Sequence, residues 1–242
     1  MQPCLLLLSA LVLTSAVFAE EPAKTRVVVF TGGHGFDQRG FAAMFNALPN
    51  ITWREVAHPQ AHALLKADAA KDYDVLVLYD MPGKISAEAQ ADFGALLHAG
   101  KGLVVLHHSL GSYPDWAEYE TIIGGRYLFR KRVVDGKEQP ASGYKHDVDM
   151  PVKVVNPEHP VTKGVAAEFT IHDETYKDFV VGADVTPLLT TTHPTSTPTI
   201  GWTKRYGKSQ VVYLELGHDK GAYENPNYRR LVTQAIAFVK QP

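Results

Sequence analysis

Four short stretches of this chain place histidines and carboxylates where apolar runs give way to turns. They are Thr31-Gly32-Gly33-His34-Gly35-Phe36-Asp37, His107-His108-Ser109, His172-Asp173-Glu174-Thr175-Tyr176 and Glu215-Leu216-Gly217-His218-Asp219. Imidazole and carboxylate together can act as general base and acid, or hold a divalent ion, near neutral pH. Each stretch also has a plainer reading: a glycine-rich turn, two packed histidines, an exposed charged hairpin, or a Gly-His-Asp turn with a local hydrogen bond. The glycines after Thr31 lack the lysine of a phosphate loop and the full G-x-G-x-x-G spacing. Ser109 lacks a G-x-S-x-G elbow, which argues against a serine hydrolase of that type. No H-E-x-x-H helix is present.

These groups must be positioned by the elements before them. Arg26 to Thr31, Ile51 to Val56, Asp74 to Asp80 and Gly102 to Leu106 read as strands, the last a buried run bounded by glycine. Helices are predicted between them: one on Phe41, Met44, Phe45 and Leu48, an alanine-rich one around 61–70, and one capped by Ser86 and closed by Gly100. That rhythm predicts a doubly wound parallel sheet. In such sheets ligands bind outside the carboxyl ends of the strands, where these clusters fall. Successive strand residues face opposite ways, so His107 is expected to enter the crevice and His108 to form its wall.

The second half is less regular. A short helix is predicted around Trp116 to Ile123, and the glycine- and charge-rich stretch up to residue 150 reads as a surface excursion. Short strands at 152–155, 169–172, 187–192, 199–203 and 210–215 suggest an antiparallel extension of the sheet. Asn225-Pro226 opens a last helix with Leu231, Val232, Ala235, Ile236 and Val239 on one face. His58, His62, His98, His146, His159 and His193 read as surface or structural.

Composition narrows the function. Cys4 is the only cysteine and lies just before an apolar stretch, and the first 19 residues read as a signal peptide cleaved after Ala19. The expectation is a periplasmic or secreted chain with one domain over 24–241, retention as an N-terminal anchor being the alternative. The mature chain then has no cysteine, which excludes disulfides, thiolate zinc clusters and cysteine nucleophiles. A net charge of −2 without a long basic run argues against nucleic-acid binding, and no stable membrane insertion is expected.

Five stretches carry a specific likeness: VVVFTGGHGFD (27–37), LVVLHHSLGSYPDWAEYETIIGGRY (103–127), NPEHPVTKG (156–164), IHDETY (171–176) and LGHDKGAYENPNYRRLVTQAIAFV (216–239). In this order the chain resembles the ThuA-like family, named for a trehalose-utilisation protein. The resemblance implies a flavodoxin-like α/β fold of the class I glutamine amidotransferase type. It places His107 where those amidotransferases carry their nucleophilic cysteine, and His218 near their partner histidine, so thiol-dependent amide transfer is not expected. It implies bacterial processing of a small-molecule carbohydrate, of the trehalose or 3-keto-glycoside type. On that reading His107, Glu174 and His218 are the catalytic set or the ligands of a divalent metal such as Zn2+. His34, Asp37, His108, Trp116, Arg126 and Tyr176 would line the substrate pocket. A sugar-binding or accessory protein without turnover is the alternative.

Overall fold

A computed structural model describes residues 23–134 and 136–240; the expected signal peptide lies outside them. The chain runs β1 (Thr25–Gly32), α1 (Gln38–Ala47), β2 (Ile51–Ala57), β3 (Val75–Asp80), α2 (Ala87–His98), β4 (Gly102–Leu106), α3 (Ala117–Ile123), β5 (Gly125–Arg126), β6 (Arg132–Val134) and β7 (Lys137–Gln139). It continues through β8 (Gly143–Val154), β9 (Glu168–Lys177), β10 (Val180–Val181), β11 (Thr186–Thr191), β12 (Thr199–Tyr206), β13 (Ser209–Leu214), α4 (Lys220–Glu224) and α5 (Pro226–Lys240).

Nine strands form the main sheet, in the order β2-β1-β3-β4-β13-β12-β11-β8-β9. The first five are parallel neighbours, and the last four join antiparallel. Strands β3 and β4 are buried at every position, as their unbroken apolar runs require when helices cover both faces. One core packs α1 and α5 on one face, and a second packs α2 and α3 on the other. Gly102 allows α5 to cross β4 closely, because a Cβ there would collide with the backbone of Val239. No helix among the described residues is long and apolar enough to cross a membrane.

Three local readings of the sequence are corrected. The alanine-rich segment forms two short 3-10 turns, Gln60–Leu65 and Ala69–Asp72, instead of one helix. The stretch before residue 150 contains the first half of a twelve-residue strand, β8, whose buried Val148, Met150, Val152 and Val154 alternate with exposed residues. Exposed Lys145, Asp147 and Asp149 hid that strand, since a strand buried on only one face shows no continuous apolar run. Finally, His172 to Tyr176 is not a turn after a strand. It is the second half of β9, hydrogen-bonded along β8.

Candidate active site

Strand β4 ends in a 3-10 turn, His107–Gly111, in which both histidines are buried. His107 has a left-handed backbone, φ 48°, a conformation that is uncommon outside glycine and marks a constrained corner. This corner parts the doublet. The His107 ring turns toward Glu215, Glu174, His218 and Tyr176, whereas His108 packs against Tyr79 and stacks on His34 at 4.4 Å.

Strand β9 delivers the carboxylate. Glu174 and Tyr176, two residues apart, reach the same imidazole: Glu174 Oε2 lies 3.0 Å and the Tyr176 hydroxyl 2.9 Å from His107 Nε2. His218, from the loop after β13, brings Nδ1 to 3.2 Å from both His107 Nε2 and Glu174 Oε2. The backbone carbonyl of Glu215 is 2.6 Å from His107 Nδ1 and can only accept, so that nitrogen carries the proton. When the ring is neutral Nε2 is its lone-pair atom, and when the ring is protonated Nε2 donates to Glu174.

Asp173 braces the arrangement from the other side of the strand. Fully buried, it accepts the backbone N–H groups of Glu174, Gly217 and His218 at 2.8–2.9 Å. Burial pushes its pKa up, against the opposing pull of His107 and these three donors. For Glu174, burial also pushes upward, but hydrogen bonds from His107 and His218 outweigh it and hold the carboxyl well below its usual range. Glu174 in turn pulls His218 toward its protonated form, more strongly than burial opposes it.

The three donor atoms, His107 Nε2, Glu174 Oε2 and His218 Nδ1, stand 3.0–3.2 Å from one another. Ligands at about 2.0–2.1 Å around a tetrahedral zinc are separated by about 3.3 Å, so the spacing of the donor set is close to that around such an ion. The Glu215 carbonyl supplies the outer hydrogen bond that fixes the tautomer of a ligating histidine.

A cavity of about 190 Å³ opens over Glu174 and Tyr176. His34, His108, His146, Met81, Tyr127, Phe129 and Tyr144 form its walls. Gly33 places His34 there: its φ is 83°, and a Cβ would strike the backbone of Met81. His34 Nδ1 is 2.7 Å from the Gly35 carbonyl, and half-burial lowers the ring's pKa against that bond. Its Nε2 is therefore an acceptor at neutral pH.

Of the residues anticipated from sequence, His107, Glu174, His218, Tyr176, His34 and His108 are gathered here, and three are not. Trp116 is buried in the second core against Phe93, Tyr113 and Tyr119. Arg126 spends its guanidinium on the carbonyls of Ser112, Tyr113 and Trp116 and on Glu120, bracing the chain before α3. Asp37 is exposed and caps α1 through the Gly40 N–H. The apolar wall residues Met81, Tyr127, Phe129 and Tyr144 were not anticipated, and one ionisable site residue was missed. His146, read as surface or structural, lies in the cavity wall with Nδ1 3.1 Å from Glu174 Oε1. Its local sequence of charged and glycine residues gives no signal for this placement.

The family model described as "ThuA: Trehalose utilisation" matches residues 26–239. The chain belongs to the ThuA family. Comparison with curated protein sequences returns no match. Among solved structures, a ThuA-like protein from Parabacteroides merdae aligns with a TM-score of 0.74 at 15% identity, over 90% of each chain. One from Bacteroides uniformis gives 0.68 at 17% identity, over 92% of this ThuA chain and 94% of that one. PurLQS from Thermotoga maritima gives 0.54 at 15% identity, over 89% and 99%. The fold is thus α/β, ThuA-like and of the class I glutamine amidotransferase type.

Proposed function

We propose that this ThuA-family chain is a carbohydrate-active enzyme that transforms a neutral, oxidised sugar derivative, such as a 3-keto-glycoside, in the periplasm or outside the cell. The observation that carries this reading is the convergence of His107 Nε2, Glu174 Oε2 and His218 Nδ1 beneath a small cavity. These residues would hold a divalent ion such as Zn2+, which would supply Lewis-acid polarisation of a substrate oxygen.

A ketone acidifies the C–H next to it, so chemistry on a keto-sugar needs a base that is neutral at working pH. His34 meets that need, with its protonated Nδ1 tied to Gly35 and Nε2 left to accept. Tyr176 and His146 flank Glu174 in the cavity wall, the one hydrogen-bonded to His107 and the other paired with Glu174. Among the described residues no lysine or arginine lines the cavity, so a phosphorylated sugar would find no cationic partner there.

The test is turnover. Purified protein is incubated with 3-keto-glycosides, with and without a chelator, and products are followed by NMR. Product that disappears with chelator and in His107→Ala or Glu174→Ala supports the enzyme. Tight binding with no product under any divalent metal would overturn it in favour of a sugar-binding accessory protein.

A further inference from the structure

The cavity lining is of two chemical kinds. Glu174, His34 and His146 are ionisable; Met81, Tyr127 and Phe129 gather about Gly111 as an apolar end, while Tyr144 lies beside His146, ring centroids 5.1 Å apart. Phe129 and Tyr144 are 54% and 62% exposed, and are among the few large apolar side chains turned to solvent. Phe129 stands on Tyr127 with ring centroids 5.1 Å apart, and the Tyr127 hydroxyl donates to the Ser142 carbonyl. Gly111 keeps the apolar end open: a Cβ there would press on both the Met81 sulfur and the tip of Phe129.

From this division we infer that the apolar end is a subsite for a planar, apolar aglycone, so that the substrate is an aryl glycoside and not a disaccharide. The inference rests on the keto-glycoside reading above. Room of about 190 Å³ is small beside the roughly 300–1,000 Å³ of pockets that enclose drug-sized molecules. One sugar ring fits over Glu174, and the group beyond it must lie along the exposed Phe129 ring. A second sugar would bring several hydroxyls to that end. Met81 and Phe129 offer them no hydrogen bond, and Tyr127 is already engaged. An aromatic ring needs no such partners and stacks on Phe129.

The experiment compares dissociation constants of 4-nitrophenyl and methyl 3-keto-β-glucosides and of 3-keto-trehalose, by calorimetry on the zinc-loaded protein. The aryl compound is expected to bind roughly tenfold more tightly than the methyl one. Phe129→Ala should bring that ratio toward one with zinc content unchanged, and Gly111→Leu should selectively exclude the aryl compound. An aryl-to-methyl ratio of one in the wild type, or tighter binding of 3-keto-trehalose, overturns the subsite. The same ratio measured with unoxidised aryl and methyl glucosides separates the two readings. An aryl preference there, with no turnover of any keto-sugar, keeps the subsite and removes the reaction. No measurable binding of either aryl compound removes the subsite as well.

Discussion

His146 Nδ1 lies 3.1 Å from Glu174 Oε1 because the ladder between β8 and β9 slips opposite that glutamate. Lys145 pairs with Thr175 and Val148 with Asp173, so two residues, His146 and Asp147, face the single Glu174. Asp147 takes up the extra length with a left-handed φ of 56°. Bulges of this kind re-aim side chains beside functional sites. Here the bulge turns a half-exposed imidazole onto the carboxylate oxygen that His107 and His218 leave available.

His146→Ala is accordingly expected to keep its metal but lose about 10- to 100-fold in kcat, the range for loss of a group that orients or assists a site carboxylate. His146→Gln, which can still donate to Glu174, should recover part of the loss. Steady-state kinetics with metal analysis on the same samples checks this; wild-type kcat in His146→Ala would place the residue outside the machinery.

Metal content gives a second check that needs no substrate. The wild type is expected to bind about one zinc per chain. His107→Ala, Glu174→Ala and His218→Ala should each weaken binding by more than 100-fold, since each removes one of three donors. Zinc uptake should also release protons, because Glu174 favours the protonated form of His218. Equal zinc content in all four proteins would show that the cluster is held together by hydrogen bonds alone.

Asp173 should matter for stability more than any donor it positions. Asp173→Ala leaves three N–H groups without their acceptor, at about 1–3 kcal/mol for each that stays buried, so a loss of about 3 kcal/mol or more is expected. Asp173→Asn keeps an acceptor oxygen and should cost less. Urea denaturation reads both, and a change within about 0.5 kcal/mol for the alanine variant would contradict this bracing role.

The pH profile tests His34. Burial lowers its pKa from the ordinary 6.5, the Gly35 carbonyl opposing, so the neutral base persists to lower pH than a free histidine would. Activity should therefore persist to lower pH than an ordinary histidine base would allow, and fall as protonation removes the acceptor at Nε2. His34→Asn should lower the plateau and abolish this acid limb. An unchanged limb in His34→Asn assigns it to another group.

What the sequence determined by itself was the frame. The buried runs of β3 and β4, the apolar stripe of α5 and the alternation of strands with helices follow from local periodicity, and they dictated a parallel sheet with chemistry at its carboxyl edge. The parting of His107 from His108 was also legible, because neighbours at a strand end cannot share one direction. The ThuA motifs pointed to His107, Glu174 and His218 together.

Only the tertiary structure decided which side chains meet. Trp116, Arg126 and Asp37 sit beside the recognisable motifs, yet packing and backbone hydrogen bonds direct them elsewhere. His146 has the opposite history: nothing around it in the chain marks it, and it reaches Glu174 through a one-residue slip between two strands. Periodicity is a property of one segment, whereas register and bulges belong to a pair of segments. The contacts that complete this site are set by pairing, which no single stretch of sequence contains.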